Sequence, residues 1–400
     1  MMKLTGKSTP LSVTRRKVQR SSRTTAFAVI AAGTILGLAG TDLVLPAVPG
    51  LPRVLGGTIE RGQLVLAAFT AGAAIGLLLF GEFGARFDQR RVLAASLLFY
   101  GFSSVLCAWS PSLDVLIALR FVQGASGVAA AVFAPGMIRA LYDGPAAIGA
   151  MGRLGSLESL APALAPIAGG ALLAIAGWQT SFFLLAVLSI ALGLLIAARP
   201  ALLPAVIATG RGHYGRVIAR PGFVRLAVSH AFTLGALLIV VFGAPTVFTN
   251  ALGGSLGHFI AMQVIGITVF IFAANCAGRL VQRFGAGTVI RAGAIVFWLG
   301  TSGLFAYAAA GGGSIAVVIA LMVLLNAGLG LRGPPGFYAA IVAAGDDARG
   351  GALMVLAILA TASIGTALVA PFIGAGLIAL AGPAWALSTV AAALVARRPE

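Results

Sequence analysis

The chain predicts an all-α membrane protein: twelve transmembrane helices in two pseudo-symmetric six-helix bundles. Three observations lead there. Hydrophobic residues fill 60% of the 400 positions and charged residues 9%, where a soluble domain carries roughly a quarter charged. The apolar residues fall into runs long enough to cross a bilayer, which takes roughly 20 residues per helix. The chain also repeats itself. Gly81-Glu82-Phe83-Gly84-Ala85-Arg86-Phe87-Asp88 returns, much altered, as Gly278-Arg279-Leu280-Val281-Gln282-Arg283-Phe284-Gly285. Both copies keep the glycine, a bulky apolar residue two positions on, and Arg-Phe at the sixth and seventh places. Leu55-Gly56-Gly57 and Leu252-Gly253-Gly254 share the same spacing. A repeat of this length between apolar runs points to two homologous bundles, as in many secondary transporters.

The elements follow in order. Residues 1–24 form a polar tail with Lys3, Lys7, Arg15, Arg16, Lys17, Arg20 and Arg23. The apolar run after it exceeds the roughly 7–15 residues of a signal-peptide core and reads as an uncleaved first span. Gly6-Lys7-Ser8 resembles the end of a phosphate loop, but the first glycine and the preceding strand are missing. Twelve spans are expected near 25–49, 62–82, 92–111, 113–141, 147–176, 178–198, 223–250, 257–282, 287–309, 313–342, 350–376 and 378–396. The long connection at 199–222 carries Arg199, Arg211, His213, Arg216 and Arg220. It is the expected cytoplasmic linker between an N-terminal bundle, 25–198, and a C-terminal bundle, 223–396.

Charge sets the orientation. Basic residues beside spans stay on the cytoplasmic side. With the N-terminus inside, 23 of the 27 lysines and arginines fall inside. Only Arg53 and Arg61 fall outside, and Arg120 and Arg332 lie within spans. Both termini are therefore expected in the cytoplasm and the chain in the cell inner (plasma) membrane. The net charge of +17 is spread along one membrane face, which suits anionic lipid head groups and argues against nucleic acid. Cys107 and Cys276 lie far apart in apolar runs, with no metal or disulfide spacing. No metal or organic cofactor is expected.

Four ionisable residues fall deep in apolar runs: Asp42, Arg120, Glu158 and Arg332. A charge at the bilayer centre costs about 2.5–3.5 kcal/mol on insertion scales, so each needs a partner or a wet cavity. Asp42 and Arg120 fall at compatible depths in the outer half and are expected to pair. Glu158 and Arg332 fall nearer the inner half or the midplane. Static ion pairs locking helices together are the plain reading, and proton or substrate handling the functional one. Gln123 shares a helix face with Arg120 and Ser126. Asn326, with Asn275 and Gln263, adds polarity in spans 10 and 8. The expected substrate cavity is thus Asp42, Arg120, Gln123, Asn326 and Arg332, with Asp42 and Glu158 as proton carriers. Arg120 would tune Asp42. Arg332 would tune Glu158 or bind an anionic group. His230 and His258 read as interfacial histidines. Gly33-x3-Gly37 and Gly72-x3-Gly76 read as close helix packing.

Several segments resemble the major facilitator superfamily, in particular its twelve-helix drug:proton antiporter branch of the bicyclomycin-resistance type. Thr41-Asp42-Leu43-Val44-Leu45-Pro46 is similar to the first-helix pattern of that group, and Arg120-Phe121-Val122-Gln123-Gly124 to its fourth-helix signature. Pro162, Pro166, Gly169 and Gly170, with Gly152 upstream, resemble its fifth-helix antiporter motif. Small residues there would permit a seal against the other bundle. Residues 81–91 resemble the loop signature between helices 2 and 3. The resemblance makes Gly81, Glu82, Arg86, Asp88, Arg90 and Arg91 a latch between bundles. The chain departs from that signature at Ala85, where an acid is usual, and leaves Glu82 or Asp88 to substitute.

The resemblance implies a monomeric, proton-gradient-driven exporter of small organic or drug-like compounds, working by alternating access. A dedicated exporter or importer of one metabolite, such as a sugar, siderophore or amino acid, fits the same fold. A membrane receptor or channel without coupled transport is the rival of another class. An enzyme is disfavoured, since no Ser/His/Asp set or metal cluster is evident.

Overall fold

The computed structural model describes residues 23–57, 61–62, 64–162, 164–206, 212–255 and 257–396. Most of the basic tail, Arg211 and the final arginines, Arg397 and Arg398, lie outside them. Among the described residues the secondary structure is helical throughout, with no strand. Eleven helices are long and apolar enough to cross a membrane. In chain order they are α1 (Arg23–Leu55), α2 (Leu64–Arg86), α3 (Gln89–Ala108), α4 (Leu113–Leu141), α6 (Gln179–Ala198), α7 (Pro221–Asn250), α8 (Gly257–Phe284), α9 (Ala286–Ala309), α10 (Ile315–Ala344), α11 (Asp347–Ala375) and α12 (Leu377–Ala396). The fifth member, α5, comes in two pieces: Gly144–Glu158 and a shorter apolar helix, Leu164–Ala176.

Local chemistry sets the ends. Asp88 caps α3 by accepting from the Arg90 amide at 3.0 Å, and Asp346 caps α11 by accepting from the Arg349 amide at 3.1 Å, each satisfying an orphan N–H of a first turn. Gly345 takes φ +60° at the end of α10. This left-handed cap, which glycine adopts without strain, lets α10 and α11 join in one tight turn.

Among the spans that are interrupted inside the apolar zone, α1 and α5 break directly after an acid, and the sequence says why. Pro162 has no N–H for the carbonyl of Glu158, and Pro46 none for that of Asp42. The first piece of α5 stops at Glu158. The α-helical part of α1 stops at Asp42 and continues as a 3-10 turn over Leu45–Gly50. Each acid is thus the last residue of a helical piece, four positions before the proline that ends it.

Helices α1–α6 pack as one bundle and α7–α12 as the other. The bundles meet where the first piece of α5 lies on α8 and α10, and where α2 and α4 lie on α11. These contacts gather at the end that carries the 81–91 loop and the α6–α7 connection, called the linker end below. There Ala348 and Ala352 of α11 join the apolar core of the N-terminal bundle around Phe133 and Met137.

Candidate functional site

The glycine pairs of the sequence do what their spacing implied. A side chain at Gly37 would strike the Gly127 carbonyl, at 2.6 Å, and one at Gly72 the Phe121 carbonyl, at 1.9 Å. Helices α1 and α2 therefore lie directly against α4. The repeat has a structural meaning too. Gly81 abuts Ala352 of α11 and Gly278 abuts Gly149 of α5, so both copies place their first glycine at the contact between bundles.

The fifth-helix motif divides differently from expectation. A side chain at Gly169 would meet the Leu43 carbonyl of α1 at 2.1 Å, and Gly170 has nothing within 4 Å. Gly169 therefore packs inside its own bundle, beside the break in α1, and does not seal against the other. Pro162 and Pro166 lie at and just beyond the break in α5. The seal is made one half-helix earlier. Gly152 lies against the Ala274 carbonyl, 2.3 Å from where a side chain would begin, and Gly149 against Gly278. Asn275 Nδ2 donates across the same seam to Ser156 Oγ at 2.9 Å.

Arg120 is fully buried, with 0% of its surface exposed, and does not pair with Asp42. The six ion pairs among the described residues involve neither of them, nor Glu158 nor Arg332. Arg120 Nη1 donates to Gln123 Oε1 at 2.6 Å and to the Gly40 carbonyl at 3.0 Å. Its Nε donates to the Val65 carbonyl at 3.3 Å, and the guanidinium lies 4.2 Å from the centre of the Phe69 ring. Gln123 Nε2 passes the chain on to Ser104 Oγ at 2.6 Å. Burying a cation is costly unless its donors find partners; here Nε and Nη1 bond carbonyls and an amide, Nη2 has no hydrogen-bond partner, and the Phe69 ring faces the guanidinium. Arg120 and Gln123 thereby tie α1, α2, α3 and α4 together and do not face an open cavity. Through Gly40 the cation caps the helical piece that Asp42 ends, where a cation is favoured.

Arg332, 1% exposed, has the same character in the other bundle. Its Nη1 bonds Thr233 Oγ1 and its Nη2 donates to Ser229 Oγ at 2.9 Å. Ser229 in turn donates to the Ala391 carbonyl at 2.6 Å. Arg332 is thus tied to α7 and not to Glu158. Asn326 is buried, donates to the Met322 carbonyl of its own helix at 2.9 Å, and lies against Gly266, so it too is a packing residue. His230, read from sequence as interfacial, is buried. Its ring sits edge-on to Phe337 at 5.4 Å. His258 does sit at a helix end, bonded to the Ser255 amide at 3.1 Å.

The two acids remain. Asp42 and Glu158 are partly exposed. The Thr34 hydroxyl of α1 donates to the Ala31 carbonyl of its own helix at 3.0 Å. The two acids are the carboxyls of the apolar zone that no cation neutralises.

Charge pairing is concentrated at the linker end instead. Glu82 of α2 accepts from Arg349 Nε of α11 at 2.8 Å and also pairs with Arg86. Arg349 Nη1 binds Asp346 at 2.6 Å. Arg139 of α4 pairs with Asp347 of α11. The substitution for the acid missing at Ala85 therefore falls to Glu82, about one helical turn back. Ala85 itself is buried. Asp88 is not part of the contact between bundles. It binds Arg90 Nη2 at 2.9 Å, within its own loop, and that hydrogen bond holds its carboxyl below the usual carboxylate range. Arg90 follows it, and Arg91 is exposed. Asp346, Asp347 and Arg349 form part of this contact without any feature of the apolar runs that singles them out. The signal was an acid pair followed by arginine directly after a glycine helix stop. No group of three or more potential metal ligands occurs among the described residues.

Residues 30–370 match the Major Facilitator Superfamily family description. The chain belongs to the Major Facilitator Superfamily. Among relatives, it is 27% identical over 73% of its length to an uncharacterized MFS-type transporter, YdgK, of Bacillus subtilis, covering 75% of that protein. It is 28% identical over 65% of its length to a chloramphenicol resistance protein of Pseudomonas aeruginosa, covering 62% of it. It is 25% identical over 63% to a bicyclomycin resistance protein homolog of Haemophilus influenzae, covering 65%. In three dimensions it resembles the outward conformation of the transporter FucP, with TM-score 0.72, 16% identity, and 94% and 99% of the two chains covered. The fold of this superfamily member is thus that of solved transporters, built from two bundles.

Proposed function

We propose that the chain exports small organic, drug-like compounds across the cell inner membrane in exchange for protons, as a monomer driven by the proton gradient. The observation that carries this reading is the pair of acids. Asp42 and Glu158 each end a helical piece broken by a proline four residues on, and neither has a cation beside it. Intramembrane acids of this kind mark ion and substrate pathways, and unwound helix ends near the midplane supply coupling sites in transporters of this architecture. A proton taken up at either acid neutralises a charge in the apolar zone without breaking an ion pair. The bundles then rock about the site, exposing it to one side at a time.

The arginine asymmetry favours a cytoplasmic linker end, with both termini on that side. The linker-end contacts between bundles then correspond to a state closed toward the cytoplasm. The drug-like cargo is supported by the resistance proteins among the relatives.

Proteoliposomes with an imposed pH gradient test the reading, with chloramphenicol as the first cargo and a panel of amphipathic cations beside it. Wild-type protein should move a cargo in a gradient-dependent way. Glu158→Gln and Asp42→Asn should insert and fold, and at least one should lose the gradient-driven component of transport. Gradient-driven transport equal to wild type in both variants would exclude these acids as carriers.

A further inference from the structure

We propose that the connection between the bundles is itself part of the gate. The short helix Tyr214–Ile218 acts as a strap, anchored in the C-terminal bundle and hooked onto α2, that must release before the bundles part at the linker end. The anchor is Val217, which is buried with Phe223 and Ala227 of α7 and Ala340 and Ile341 of α10. Arg220 adds a second hold on the same side, donating to the Ala343 carbonyl near the end of α10 at 3.4 Å. The hook is Tyr214. Its hydroxyl donates to the Leu78 carbonyl of α2 at 2.5 Å. One side of a five-residue helix thus belongs to one bundle and the other side to its partner.

Gly81 makes the hook possible. A Cβ at this position would lie 2.2 Å from the Tyr214 hydroxyl and 2.8 Å from Ala352 Cβ. The leading glycine of the repeated segment therefore leaves room for the linker tyrosine as well as for α11. The described linker residues on either side of 207–211 also lie beside the Glu82–Arg349 pair. A side chain at Gly212 would begin 2.7 Å from Arg349 Nη1, and Val206 lines a cavity of about 110 Å³ together with Asp346 and Asp347. Burial and the neighbouring Glu82 push the Tyr214 phenol above its usual pKa, so it stays a donor in any ordinary medium. When the linker end opens, Val217 and Arg220 travel with the C-terminal bundle and the Tyr214–Leu78 bond has to break. Tyr214 is a positioning residue, acting on the balance between states and not on cargo.

The inference rests on the alternating-access reading, and the test separates the two. Spin labels at Phe87→Cys and Phe284→Cys, both exposed positions at the linker ends of α2 and α8, report the gap between bundles in lipid nanodiscs. Cys107→Ser and Cys276→Ser provide the background. The wild-type background should show a short and a long distance whose ratio changes between acid and neutral pH. Tyr214→Phe keeps the ring and removes the hook, and should raise the long-to-short ratio about five-fold, the scale of one net hydrogen bond. Val217→Ala, which loosens the anchor, should change the ratio in the same direction. Two distances in wild type with an unchanged ratio in both variants would overturn the strap and leave the transport reading standing. A single distance under every condition would overturn both.

Discussion

The linker end and the apolar interior handle charge in opposite ways. At the linker end, cations and anions pair across the boundary between bundles: Glu82 with Arg349, and Arg139 with Asp347. In the interior, the two buried arginines are each held within one bundle. Arg120 is bonded by α1, α2 and its own helix, and Arg332 by α7. A rocking motion breaks the first kind of contact and carries the second kind along intact. The difference assigns the energetics: end pairs set the balance between states, and interior networks set the integrity of each bundle.

The sharpest way to break that comparison is Arg120→Ala. It leaves Gln123 Oε1 and two buried carbonyls without their donor and empties the space over Phe69. Hydrogen bonds to a charged group contribute about 1.5–3 kcal/mol each, so a loss of about 3 kcal/mol or more is expected in detergent unfolding. Arg332→Ala should act in the same way on the other bundle, less strongly, because its partners are two hydroxyls. Neither should greatly change the ratio of linker-end-open to linker-end-closed molecules that fold. A large shift in that ratio with unchanged stability would place these arginines in the gate.

Glu82→Gln should do the converse. It weakens the bond to Arg349 and the pair with Arg86 while keeping the shape of the side chain. Arg349 is 1% exposed and keeps Asp346, so the expected effect is a shift toward the linker-end-open state of about ten-fold, near 1.4 kcal/mol, with little change in unfolding. Distances between labelled bundles check it. An unchanged ratio would remove the Glu82–Arg349 pair from the latch.

Twelve apolar runs, the six-and-six division and the repeat were legible because bilayer thickness and backbone hydrogen bonding leave a spanning chain few options. The glycine pairs were legible for a similar reason: a bare backbone face has one common use in a membrane helix. The partners of the charges were not. Depth along a helix can be counted from sequence, but azimuth around it in a bundle cannot. Asp42 and Arg120 share a depth, yet the guanidinium reaches the carbonyl of Gly40 and not the carboxylate two residues on. The seal was misplaced for a related reason. Gly169 and Gly152 lie on the same broken helix, and the break at Glu158 sends the two pieces to different neighbours. The break itself was in view, since Pro46 and Pro162 each follow an acid by four positions, but no sequence rule says which helix the freed end will meet.

The smallest effect separates two acids of one loop. Asp88 and Glu82 lie six residues apart, and both belong to the segment expected to latch the bundles. Asp88 caps α3 and pairs with Arg90, so it acts within one bundle. Asp88→Ala should cost about 1 kcal/mol, the usual value of a lost N-cap, and leave the ratio of states as in wild type. Asp88→Asn keeps a capping oxygen and should cost less. The pH dependence has a definite sign. Arg90 holds the Asp88 carboxyl below its unfolded value, so its contribution is present at neutral pH and above the unfolded carboxylate range. It is lost only as pH falls through the depressed folded value. The stability difference between wild type and Asp88→Ala should therefore be flat through neutral pH and shrink in acid. A difference that grows in acid, or a state ratio that moves with Asp88→Ala, would return this residue to the latch and erase the contrast between the two acids.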